Sequence, residues 1–126
     1  MNRMDRVNSS IKHEVSRIIT EDLRDRELTG LITVTKVDTT PDFNISKVYV
    51  TMIGSKNDKA NMRTLKKASG FVRTQIAHNL NFKKTPQIVF AFDDSIEYGY
   101  KMDKLLDQIS KELEISEEKR NKEDKE

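Results

Sequence analysis

The sequence predicts an α+β fold in a single domain, and three observations carry that prediction. Apolar residues recur at steps of three and four in separate stretches, the stripe of amphipathic helices. Between them lie short β-branched runs, two joined by a turn and a third reached only after a long helical passage. The chain has 126 residues and no Cys, a length that suits one core and falls short of the roughly 200 residues of a barrel enzyme or a full dinucleotide-binding fold.

The elements follow in order. Met4, Val7, Ile11, Val15, Ile18 and Ile19 predict a first helix ending near Arg24–Arg26, before the loop Leu28-Thr29-Gly30. Residues 32–37 predict a strand with Ile32 and Val34 on one face and Val37 on the other. Thr39 to Asn44 has turn chemistry, with Pro41 presetting φ at the second turn position. Residues 45–53 alternate cleanly, Val48, Val50 and Met52 against Lys47, Tyr49 and Thr51, so an antiparallel hairpin is expected. Met62, Leu65, Ala68, Val72, Ile76 and Leu80 then hold one helical phase, with Gly70 in the middle at a cost of about 1 kcal/mol relative to Ala. Residues 87–92 predict a third strand, apolar on both faces and therefore covered or central. The second strand, the helical run and the third strand make a β-α-β crossover with parallel outer strands. Asp94-Ser95-Ile96-Glu97 offers a capping box for a last helix, its buried side formed by Ile96, Met102, Leu105, Leu106, Ile109 and Leu113. Residues 1–113 form the expected domain. Residues 114–126 are a charged tail, with no apolar residue after Ile115, that cannot bury a core face and is expected to be disordered.

Composition excludes several function classes. Without Cys there is no disulfide scaffold, no Cys-ligated zinc and no thiol catalysis. No apolar run approaches the roughly 18–20 residues of a membrane span, and no signal-peptide core is visible, so a soluble cytoplasmic protein is expected. Phosphate-loop, dinucleotide, zinc-protease and nucleophile-elbow motifs are missing. His13 and His78 lie on different helices and read as solvent-facing, Asp93-Asp94 reads first as part of a turn in which Asp94 or Ser95 caps the next helix, and Tyr98 and Tyr100 read as packing or surface residues. A small hydrolase built on Asp93, Asp94 and His78 has no defined ligand geometry. No enzyme, metal or cofactor is expected.

The 23 basic and 21 acidic residues are unevenly placed. From Lys111 onward there are 5 basic and 7 acidic residues, leaving 18 basic and 14 acidic before it. At about 100° per residue, Arg3, Arg6, His13, Arg17 and Arg24 share a sector of the first helix. This is either a nucleic-acid face or a solvated face whose cations pair with Glu14 and Glu21. A second cluster is sharper: Arg63, Lys66, Lys67 and Arg73 bracket Gly70, and Lys83 and Lys84 follow in the loop beyond. If the helix breaks at Ala68-Ser69-Gly70, backbone N–H groups there can meet a phosphate; an ordinary helix with a tolerated Gly is the other reading, which the unbroken apolar phase favours.

Several ordered segments resemble one family: Arg6-Val7 with Ile11 and Glu14; Ile32-Thr33-Val34-Thr35-Lys36-Val37; Lys47-Val48-Tyr49-Val50; Lys67-Ala68-Ser69-Gly70-Phe71-Val72-Arg73; and Pro86-Gln87-Ile88-Val89-Phe90 through Asp93-Asp94-Ser95. Taken in order over about Arg3 to Ile109, they resemble bacterial ribosome-binding factor A. The resemblance implies a KH-like domain of the type II arrangement, with an Ala-x-Gly kink (Ala68, Ser69, Gly70) in place of the G-x-x-G loop that clamps nucleic-acid backbone in KH domains. It also implies a monomeric, non-enzymatic factor that binds the free 30S subunit and its 16S rRNA rather than 70S ribosomes. Such factors support late 16S rRNA processing in ribosome biogenesis, notably in the cold. The RNA-facing set expected here is Arg3, Arg6, Arg63, Lys66, Lys67, Ser69, Gly70, Arg73, Lys83 and Lys84. A generic single-stranded RNA-binding module is the alternative; it calls for exposed aromatics, whereas Phe71, Phe90 and Phe92 are placed for the core.

Overall fold

The computed structural model describes residues 2–24, 26–95 and 105–113. The chain divides into two compact units, Met1–Asp93 and Asp94–Glu126. The first is an α+β layer pair with the order α1 (Arg3–Arg17), a π-turn (Ile18–Asp22), β1 (Leu31–Thr39), β2 (Ile45–Ile53), α2 (Asp58–Lys67), α3 (Ser69–Asn79) and β3 (Gln87–Phe92). The three-stranded sheet has the spatial order β1-β2-β3, with β1 and β2 antiparallel and β2 and β3 parallel. The hairpin and the helical crossover are thus both present.

Asn2 starts α1 with a reciprocal cap: its side chain accepts from the Asp5 N–H at 2.8 Å, and the Asp5 carboxylate accepts from the Asn2 N–H at 3.2 Å. Val7, Ile11 and Val15 point into the core, and the helix then widens. The Leu23 N–H reaches back five residues to the Ile18 carbonyl at 2.9 Å. Ile18, Ile19 and Leu23 are all buried along this widened turn.

β1 corrects the predicted face assignment. Val34 pairs with Val50 and Lys36 with Tyr49, so Thr35 is an extra residue in a β-bulge. The bulge restores the alternation one residue later, and Val34 and Val37, expected on opposite faces, are both buried against the helices. Thr35 donates its hydroxyl proton to the Asp93 carboxylate at 2.6 Å. β3, expected to be covered or central, is not central: β2 is, and β3 borders it on one side only among the described strands, with Ile88 and Phe90 buried and Val89 exposed. Apolar residues on both faces of a strand do not require cover on both faces when the strand is short and its outward residue stands alone.

The hairpin loop is tightly hydrogen-bonded. Pro41 occupies the second position of a turn closed by the Phe43 N–H donating to the Thr40 carbonyl at 2.9 Å. The Asp42 carboxylate accepts from the Thr40 hydroxyl at 2.7 Å, the Asn44 N–H at 3.0 Å and the Asn44 amide at 2.8 Å. These bonds hold Asp42 below the ordinary carboxylate range, the Thr40 hydroxyl first. They also hold Phe43 at φ 61°, a left-handed conformation that costs a bulky L-residue about 1–3 kcal/mol.

Ahead of β1, Gly30 lies at φ 77° against the backbone of Ile53–Ser55. The neighbouring Thr29 is bridged to α2 by buried Asn61: the Thr29 N–H donates to Asn61 Oδ1 at 3.0 Å, and Asn61 Nδ2 donates to the Thr29 carbonyl at 2.8 Å. This polar pair satisfies backbone groups that would otherwise lose water without compensation.

In the second unit, residues 105–113 are helical, but Leu105, Leu106, Ile109 and Leu113 are exposed, at 44–61%. They do not form the buried side expected of them; helical spacing identifies which face would be covered, not that anything covers it. Ile96, Met102, Tyr98, Tyr100 and the tail 114–126 lie outside the described residues.

Candidate nucleic-acid interface

The helical passage between β2 and β3 is two helices. Ala68 adopts φ −86° and ψ −2°, ending α2 and starting α3. Near ψ of zero the chain leaves the regular helical path, and no side chain caps the first turn of α3. Ser69 instead turns its hydroxyl back to the Lys66 carbonyl at 2.8 Å. The apolar phase survives the break, since Leu65, Ala68, Val72 and Ile76 are all buried. The break therefore falls at Ala68, whereas Gly70 sits inside α3 without a positive φ, and a methyl group there would meet nothing within 4 Å. Gly70 contributes bare backbone at the surface rather than an unusual dihedral.

The break opens onto a depression of about 650 Å3 lined by Ser69, Gly70 and Arg73 from α3, Asn44 and Ile45 from the hairpin, and Lys84, Thr85, Gln87 and Ile88 around the start of β3. Arg73 is aimed by donating to the Thr85 carbonyl at 3.1 Å. Lys84 donates its ammonium to Asn44 Oδ1. Among the described residues, no carboxylate lines this depression. Two cations and the free N–H groups of an uncapped helix start around one hollow are the kind of donors from which a phosphate oxygen can accept.

Lys84 also borders a second depression, of about 490 Å3, together with Arg3, Val7, Asp42, Phe43, Asn81, Phe82 and Lys83. The structure thus gathers Arg3, Ser69, Gly70, Arg73, Lys83 and Lys84 into two adjoining hollows. Arg63 lies elsewhere, in a hollow with Lys59, Met62 and Phe92, and Lys66 borders both that hollow and one along β3. Arg6 and Lys67 are exposed and line neither of the two main depressions. Sequence reading missed Asn44, Thr85, Phe43 and Phe82, which reach the site from separate loops and share no periodicity with the basic cluster.

The basic sector of α1 splits in the same way. Arg17 is consumed by Glu14 at 2.7 Å, Glu21 at 3.1 Å and Asp22 at 3.5 Å, and these partners keep it firmly protonated. Glu14 is held below its ordinary range, first by the hydrogen bond from Arg17 and further by Asn79. Among the described residues every ion pair within 4.0 Å involves Arg17, and none involves Arg3, Arg73, Lys83 or Lys84. Phe71, expected in the core, is instead on the surface with the Arg26 guanidinium 5.6 Å above its ring. His13 and His78 are exposed, and the described residues contain no cluster of His, Asp and Glu suited to a metal ion. No described helix is long and apolar enough to cross a membrane.

Comparisons with known proteins agree with this architecture. The sequence pattern of the Ribosome-binding factor A family matches residues 3–106. Ribosome-binding factor A of Clostridium beijerinckii is 43% identical over 109 residues, covering 84% of this chain and 92% of the relative. The crystal structure of ribosome-binding factor A from Thermus thermophilus superposes with a TM-score of 0.64 at 21% identity, covering 71% of this chain and 96% of that one. Thermus thermophilus coordinates fitted into a cryo-electron microscopy map of a 30S–RbfA complex match with a TM-score of 0.58 at 23% identity, covering 69% and 91%. With the pattern matched from α1 past β3 and the same fold in its solved relatives, the chain belongs to the ribosome-binding factor A family.

Proposed function

We propose that this chain is a non-enzymatic assembly factor that binds the free 30S subunit in preference to 70S ribosomes and supports late processing of 16S rRNA, including in the cold. It acts in the cytoplasm as a monomer, through a type II KH-like domain whose Ala68-Ser69-Gly70 break replaces a G-x-x-G loop. The observation that carries this reading is a cationic surface with no ion pair within 4.0 Å among the described residues: Arg73 and Lys84 flank the uncapped start of α3, with Arg3 and Lys83 alongside. Arg63, Lys66 and the exposed Lys67 and Arg6 extend the positive field around it. Such a face docks on folded rRNA phosphates, and it biases rRNA folding only if one conformer is bound more tightly than another.

Co-sedimentation with purified 30S and 70S particles across salt concentrations tests the proposal. The protein should pellet with free 30S and remain largely in the supernatant with 70S. Each phosphate contact should add roughly 0.7–0.9 to the slope of log affinity against log salt. Equal pelleting with both particles at physiological salt overturns the reading.

Gly70→Ala separates geometry from contact. Without a positive φ or a steric neighbour, alanine should leave stability unchanged or raise it by up to about 1 kcal/mol. Its methyl group would stand in the α3 depression and should weaken 30S binding several-fold. Unchanged affinity would place the rRNA backbone away from Gly70.

A further inference from the structure

We propose that the second depression, floored by Phe43 and Phe82, is a stacking pocket for an unpaired nucleobase whose flanking phosphates lie on Arg3, Lys83 and Lys84. The proposal rests on the RNA-facing reading above and names the part of the ligand that this neighbouring hollow takes. The two depressions share Lys84 but differ in chemistry. The α3 hollow offers cations, a hydroxyl and bare backbone, with no aromatic ring. The second hollow offers two aromatic rings, Val7, the Asn81 amide and three cations, in a volume of about 490 Å3, within the range of small-ligand sites of roughly 300–1,000 Å3.

The rings meet edge to face, with centroids 6.4 Å apart and planes at 66°, and both are only partly buried. A T-shaped pair leaves ring surface available for a third π-system, and base–aromatic stacking tolerates any base. Phe43 reaches this position through the left-handed backbone at φ 61°, fixed by the Asp42 hydrogen bonds to Thr40 and Asn44. Backbone strain of this kind concentrates at ligand clamps. Asp42 also lines the hollow, and its ionised carboxylate is a poor neighbour for a phosphate but no obstacle to a neutral base. Lys84, hydrogen-bonded to Asn44 between the two hollows, is placed to hold the phosphate that joins a stacked base to the strand entering the α3 hollow.

The test titrates the full-length protein with oligocytidylate and with an abasic ribose-phosphate strand of equal length, followed by nuclear magnetic resonance. Oligocytidylate should shift the ring resonances of Phe43 and Phe82 together with the amides of Ser69 and Gly70. The abasic strand should shift only the amides. Phe82→Leu, checked for folding by its melting temperature, should weaken oligocytidylate binding roughly five- to a hundredfold and leave the abasic strand unaffected. The wild-type titration reads the pocket even if that variant folds poorly. Amide shifts at Ser69 and Gly70 with silent rings, and equal affinity for both strands, would overturn the base pocket and leave the phosphate site standing. No shift with either strand would overturn the pocket, and if the protein also fails to pellet with 30S, the parent reading falls with it.

Discussion

Gly30→Ala should be the most damaging single-methyl change in this domain. A Cβ at Gly30 would stand 2.6 Å from the Ile53 carbonyl oxygen, 2.7 Å from the Ser55 nitrogen and 2.8 Å from the Gly54 carbonyl carbon. All three are backbone atoms at the end of β2, so no rotamer change relieves the overlap. The left-handed φ of 77° adds about 1–2 kcal/mol for any L-residue. Relief requires moving the loop away from β2, which disturbs the Leu31–Ile53 pair and the adjacent Asn61–Thr29 bridge. The expected loss is about 3 kcal/mol or more, a drop in melting temperature of roughly 12 °C or more for a unit of this size. Gly54 provides the control: it has a similar φ of 70° and nothing within 4 Å, so its alanine variant should lose only about 1–2 kcal/mol. Equal melting temperatures for the two variants would contradict the close approach at Gly30.

The largest functional effect should come from reversing charge at the α3 hollow. Arg73→Glu with Lys84→Glu replaces two exposed cations with anions. Affinity for free 30S subunits should fall at least about a hundredfold at moderate salt, with the log–log salt slope flattened by nearly two units. Stability should change little, by about 1 kcal/mol or less, because the hydrogen bonds lost to Thr85 and Asn44 are on the surface. Arg17→Ala is the matched comparison: its guanidinium is already held by three carboxylates, so it should leave the salt slope unchanged. Undiminished binding by the double variant would move the interface off this face.

Local periodicity made much of the fold legible. The α1 stripe and the β1–β2 hairpin follow from residues whose neighbours in sequence are their neighbours in space, and the parallel β3, whose partners in β2 are distant in sequence, follows from the rule for β-α-β crossovers. Legibility failed where one residue changes the count. Thr35 offsets the alternation of β1, the π-turn widens the end of the first helical stretch, and neither leaves a compositional mark, because a threonine in a strand and a leucine after a helix are both ordinary. β3 read as covered or central because apolar content reports burial only on average. At the site, Ser69, Gly70 and Arg73 could be grouped because one helix start carries them. Asn44, Thr85, Phe43 and Phe82 could not, since their convergence depends on how the hairpin loop and the loop before β3 close on one another. The basic residues were readable as a set, but their division into Arg17, which is held in ion pairs, and Arg73 and Lys84, which make none within 4.0 Å among the described residues, depends on which carboxylates fold beside them.

The bulge at Thr35 also bears on self-association. β1 pairs only with β2 among the described strands, so its other side presents the backbone groups to which another chain's strand could be added. A bulge interrupts that row, twists the strand locally, and is one of the means by which outer strands resist polymerising. Because Thr35 is pinned to Asp93 through its hydroxyl, the interruption is anchored rather than free to slide along the ladder. The residue that brings Val34 and Val37 to the same core therefore also makes β1 a poor template for amyloid-like growth.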